Sequence, residues 1–237
     1  MGLQDKVVLI TGATGGLGSA VVRAYATTGA RLALTARSQD TLEKLAREVE
    51  LPADRTLLYA ADLAVAEAAR ALVAVVATRW GGVDLLLNIA GGWQGGARLA
   101  EVADDEFHET MHNNLLSAFH INRAVLPYMV ERGWGRIINI ASRAAASPAA
   151  KQAAYNIAKA GVVALTASIA ADYARQGVVA NAILPSIIDS PANRSQMPTA
   201  DYSRWVKPEE IAAALIYLSS DEAAALNGAS IPMYGRM

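Results

Sequence analysis

The chain has 237 residues, 53% of them hydrophobic, with 21 basic and 22 acidic side chains and a formal charge of −1, which describes a globular protein with a large core rather than a disordered one. No basic block offers a nucleic-acid or anionic-lipid surface, and the absence of cysteine excludes disulfides, thiol nucleophiles and thiolate metal sites. Charges or glycines interrupt the apolar runs before the ~20 residues of a membrane span, no signal peptide precedes the first strand, and Lys6 stands where a myristoylation motif needs Ser or Thr. The expected compartment is the cytoplasm.

Short apolar runs alternate with longer helical ones along the whole chain. Strand 6–11 precedes a helix at 16–28, strand 31–36 one at 39–49, and strand 55–60 one at 65–79. Strand 83–90 leads to a long helix at 104–131, strand 135–142 to another at 152–175, and strand 177–185 follows. About seven strands are expected in all. Continuously apolar strands are covered on both faces, so the expectation is one α/β domain over 1–237, a Rossmann-type doubly wound parallel sheet. Seven strands and an early glycine-rich turn disfavour the eight-stranded barrel alternative. Residues 186–207 form the one long irregular segment, a candidate substrate-binding loop.

"TGATGGLG" joins the first strand to the first helix. Gly12, Gly15, Gly16 and Gly18 there permit φ > 0 and close approach of backbone N–H groups to a phosphate, although the spacing is not G-x-G-x-x-G. At the end of the second strand, Ala36 carries no carboxylate for ribose hydroxyls, while Arg37 is able to pair a 2′-phosphate or simply be solvated. In "AAYNIAKAG", Tyr155 and Lys159 lie one helical turn apart on the same face. A phenol is poorly poised as a base at neutral pH, and a nearby ammonium favours its ionisation.

These motifs, in this order, resemble the short-chain dehydrogenase/reductase family, and 3-oxoacyl carrier-protein reductases in particular. The carriers are the T-G-x-x-x-G-x-G turn, "ADL" at 61–63, "NIAG" at 88–91 for N-N-A-G, and Ser142 thirteen residues before Tyr155 of Y-x-x-x-K. The resemblance implies an enzyme of the NAD(P)-dependent alcohol dehydrogenase class (EC 1.1.1.-) that moves a hydride between nicotinamide and a carbonyl or alcohol. Tyr155 is then the general acid/base, Ser142 bonds the substrate oxygen, Lys159 holds the nicotinamide ribose, and Asn114 anchors a relay water, with neighbouring Asn113 hard to tell from it. It implies cofactor contacts at Gly12, Thr14, Gly15, Gly16, Leu17, Gly18, Asp62, Leu63, Asn88, Ala90 and Gly91, and at Pro185, Ile188 and Ser190 in a departure from P-G-x-x-x-T. With Arg37 the expected cofactor is NADP(H) rather than NAD(H), although Gly15 lacks the basic residue of many NADP-using relatives. A homo-oligomer, dimer or tetramer, follows from the same resemblance, with no nucleic-acid or membrane partner.

Two other readings compete. "HETMH" (108–112) fits a zinc protease signature, with Glu131 as an imaginable third ligand, yet it falls on the helix leading to Asn114 and leaves every cofactor motif unexplained; no metal is expected. The segments around Trp93 and Trp205 resemble dihydropteridine reductase, so a pteridine reductase is the alternative chemistry and a non-catalytic NADP-binding regulator the alternative class. Trp93, Arg143 and Trp205 are the candidate substrate contacts, the tryptophans either walling a ring or only packing their loops.

Overall fold

Seven runs form strands in the computed structural model, which describes residues 2–236. They are β1 (Val7–Thr11), β2 (Arg31–Ala36), β3 (Thr56–Ala60), β4 (Leu85–Asn88), β5 (Gly135–Ile140), β6 (Val178–Pro185) and β7 (Ser230–Met233). All pair in parallel in one open sheet of order β3-β2-β1-β4-β5-β6-β7. The period of two along each strand sorts side chains between two cores. Val8, Ile10, Leu32, Leu34, Leu85 and Leu87 join helices α1 (Gly16–Ala26), α2 (Gln39–Glu48) and α8 (Pro208–Leu218) on one face. Val7, Leu9, Ala33, Leu86 and Ile137 join α3 (Ala66–Trp80), α5 (Ser117–Arg132) and α6 (Ala153–Tyr173) on the other. This is the doubly wound, Rossmann-like architecture read from the sequence.

Helix α6 through Gln176 is long and apolar enough to cross a bilayer by length and composition, although Lys159, Gly161 and Asp172 interrupt its apolar run as the sequence reading has it. Its apolarity serves packing here, since Ala154, Ala158, Val162, Ile169 and Ala170 are buried. Two spans depart from the sequence reading. The expected helix 104–131 is broken: α4 (Asp104–Met111) and α5 are joined by a π-helical turn at His112–Leu116. There the Asn114 carboxamide donates to the Thr110 carbonyl four residues back, and Ser117 Oγ to that of Asn113, and such inserted π-turns recur at functional sites. The segment after β6 is partly ordered by α7 (Pro191–Gln196), capped by Ser190, and pinned at its base by an Ile188–Val206 bridge.

The strands end in polar residues on one line. Thr11, Asn88 and Asn139 are cross-strand neighbours on β1, β4 and β5. Because β2 and β4 lie on opposite sides of β1, the strand order reverses there. A crevice opens beyond the carboxyl ends of the strands at such a switch point.

Candidate active site

The crevice is a cleft of about 1380 Å³ running from the end of β2 to α7, larger than a single small-molecule pocket. Its nucleotide end is shaped by missing Cβ atoms. Gly12 has φ +61, a Cβ on Gly18 would lie 2.1 Å from the Gly12 carbonyl, and one on Gly16 would lie 2.7 Å from Ser190 Cβ. The sequence therefore needs glycine at these three positions to bring β1, α1 and the start of α7 together and leave backbone exposed at the helix N-terminus. Thr35 Oγ1, on the cleft wall, is buried without a hydrogen-bond partner. Open N–H groups beside an orphaned hydroxyl fit a phosphate-bearing nucleotide.

At the other end Tyr155 and Lys159 project from the first turns of α6. Lys159 is 4% exposed and its Nζ donates to the Ile140 carbonyl at 3.0 Å, 5.8 Å from the Tyr155 ring centre. Burial pulls its ammonium down to about 8. Burial pushes the Tyr155 phenol up, and the Ser142 hydroxyl near it acts against that. The sequence argument gives Lys159 the task of lowering the phenol; in this protein desolvation of the tyrosine outweighs any such field. Ser142 follows β5, and its Oγ also accepts from Ala144 N at 3.1 Å.

Asn114 is buried, and both ends of its amide are hydrogen-bonded. Nδ2 donates to the Gly92 and Thr110 carbonyls, and Oδ1 accepts from Gly92 N. Gly91, at φ +150, passes so close that a Cβ would meet Asn114 Oδ1 at 2.7 Å and Lys159 Nζ at 3.1 Å. The side chain thus holds the 91–92 loop, and Oδ1 keeps a second acceptor site.

The cleft collects most residues singled out from the sequence: Asn114, Ser142, Tyr155, Lys159, Trp93, Arg143 and all the expected cofactor positions except two. Asn88 lies underneath, accepting from Thr11 Oγ1 and donating to Asn139 Oδ1, both at 2.9 Å. It acts through Thr11, whose Oγ1 accepts from the N–H groups of Ile89 and Ala90. Ser190 is the α7 cap, its hydroxyl accepting from Asn193 N. Trp205 is a correction: it is 5% exposed, its ring 4.8 Å from that of Tyr202 and tilted 54° to it, and it lies outside the cleft lining, because the turn at Tyr202–Arg204 rolls it into the core.

Sequence reasoning missed the polar floor. Asn139 Oδ1 also accepts from Asn122 Nδ2 at 2.9 Å, and Asn139 Nδ2 donates to Thr166 Oγ1 on α6 at 3.0 Å. Buried polar groups of this kind persist only when paired. The available signal was a lone Thr or Asn near the end of an apolar strand, as in "VVLIT", "LLLN" and "GRIINI".

Known proteins resemble this chain in sequence and in fold. The short chain dehydrogenase family matches residues 6–201. D-threitol dehydrogenase of Mycolicibacterium smegmatis is 35% identical over 98% of this chain and 93% of its own. A 3-oxoacyl-(acyl-carrier-protein) reductase of Vibrio cholerae is 33% identical over 100% and 99%. The structure of actinorhodin polyketide ketoreductase with NADPH superposes with TM-score 0.89 at 31% identity, over 98% of this chain and 96% of that one. NAD+-bound xylitol dehydrogenase superposes with TM-score 0.90 at 27% identity, over 98% and 99%. The chain belongs to the short-chain dehydrogenase family and is an NAD(P)-dependent oxidoreductase.

Proposed function

We propose that the protein interconverts a small carbonyl compound and its alcohol with NADP(H), and that Tyr155 is its general acid/base. The observation that carries this reading is the meeting of Tyr155 and Ser142 in one cleft, with buried Lys159 5.8 Å from the Tyr155 ring centre. The nicotinamide supplies or accepts the hydride. As the carbonyl carbon gains that hydride, the C=O electron pair moves onto oxygen, and Tyr155 Oη gives that oxygen its proton; alcohol oxidation returns the proton to Tyr155. Ser142 holds the same oxygen, and Lys159 serves the ribose. A phenol kept protonated by burial suits the reducing direction.

The glycine turn Gly12–Gly18 with Thr14 and Leu17 would cradle the pyrophosphate, Asp62 and Leu63 the adenine, and Ala90, Gly91, Pro185, Ile188 and Ser190 the nicotinamide side. Arg37 favours NADP(H): it is exposed at the end of β2, lines the cleft, and has no hydrogen-bond or ion-pair partner among the described residues. A guanidinium so placed matches a 2′-phosphate. The reading treats 1–237 as one catalytic domain whose 186–207 segment covers the substrate. It places the enzyme in the cytoplasm as a dimer or tetramer, supported by apolar Phe119 and Ile157 left exposed on α5 and α6.

The test is Tyr155→Phe, which keeps the ring and removes the reacting hydroxyl. Turnover is expected to fall by roughly 10²–10⁴-fold with NADPH affinity retained. A variant turning over within about threefold of wild type overturns the assignment.

A further inference from the structure

Among the described residues, eight arginines form ion pairs with Asp or Glu side chains. Two others line the cleft, Arg37 at its nucleotide end and Arg143 at its reacting end. Neither guanidinium donates a hydrogen bond to any described residue. Arg143 is half-buried in the turn that directly follows Ser142, and its guanidinium lies over the face of Tyr234, 5.5 Å away. Glu109, also on the cleft wall, is exposed and forms no ion pair with it. Gln94 adds a second donor: its Oε1 accepts from Thr110 Oγ1 at 3.1 Å, which leaves Nε2 without a partner among the described residues.

A half-buried cation with no counter-ion is costly unless a ligand supplies one. Resting on the oxidoreductase reading above, we propose that the substrate carries an oxyanion, a carboxylate or a phosphate, a few bonds from the reacting carbonyl, and that Arg143 receives it. The planar fork of arginine suits either anion, and the adjacency of Arg143 to Ser142 places the charge near the reacting carbon. The guanidinium then orients the carbonyl as well as binding the molecule.

The experiment compares charged and neutral members of matched pairs. Pyruvate, acetoacetate and levulinate are each set against their methyl esters, and dihydroxyacetone phosphate against dihydroxyacetone. Both kcat/KM with NADPH and dissociation constants by calorimetry on the NADP+-loaded protein are measured. At least one acid or the phosphate is expected to exceed its neutral partner tenfold or more; which pair does so separates carboxylate from phosphate. Arg143→Gln should collapse that ratio towards one, and Arg143→Lys should restore part of it. Equal constants for charged and neutral members of every pair, or a ratio unchanged in Arg143→Gln, overturn the proposal. Loss of discrimination in an enzyme still dependent on Tyr155 leaves the oxidoreductase reading standing, whereas turnover insensitive to Tyr155→Phe removes that reading alone.

Discussion

The nucleotide end of the cleft is made largely of backbone, whereas the reacting end is made of side chains that several loops and helices bring together. At the first, Gly12, Gly16 and Gly18 are fixed by what a Cβ would strike. At the second, Trp93, the adjacent pair Ser142 and Arg143, and Tyr155 come from three separate segments. A backbone site tolerates no change of residue type; a side-chain site leaves room for different substrates on one scaffold.

Substituting both ends tests this contrast at its largest. Gly18→Ala puts a Cβ 2.1 Å from a backbone carbonyl that has no rotamer with which to move aside. We expect about 3 kcal/mol or more of lost stability, with NADPH binding lost as well. Trp93→Ala removes a ring that is 57% exposed and held by one bond to Gln152, so the loss should stay below about 1 kcal/mol. Urea unfolding of both variants decides it; equal losses would erase the distinction.

The same contrast explains what was legible in the sequence. The doubly wound parallel class followed from the apolar runs and the glycine turn, since strands covered on both faces are continuously apolar; the order of strands within the sheet did not. Tyr155, Lys159 and Ser142 were legible because their spacing is local or lies along one strand–helix unit. Trp205 was misjudged because burial of a loop aromatic depends on a turn, not on periodicity. Asn114 was located, yet the closure of its amide onto Gly92 depends on a contact 22 residues away and on a π-turn that no spacing announces. The Asn139 network went unread for a related reason: its partners Asn88, Asn122 and Thr166 come from three different elements.

A smaller effect sharpens the comparison at the nucleotide end, where one side chain contributes. Arg37→Asp should weaken NADPH binding by about 2 kcal/mol, on the scale of charge-assisted hydrogen bonds, and leave NADH nearly unaffected. Fluorescence titration with both cofactors measures it. Equal losses, or a wild-type preference for NADH, would show that Arg37 is only solvated there.

The smallest effect belongs to the reacting end of the protein without cofactor. Burial holds Lys159 at about 8, against 10.5 for an ordinary lysine. Between those values the unfolded chain binds a proton that the folded one has released, so stability rises with pH through that window and is lost as pH falls through 8. One group contributes at most ~1.4 kcal/mol per pH unit. From pH 7 to pH 9 the gain should be just over 1 kcal/mol, because the full slope develops only above 8. Tyr155, pushed above its ordinary value of 10, stays protonated in both states across this range and does not interfere. Lys159→Met keeps much of the packing and removes the titration, so urea unfolding of this variant should lack the rise that wild type shows. A parallel pH dependence in both proteins would mean that Lys159 is hydrated enough to keep its charge, and that the reacting end is wetter than its burial implies.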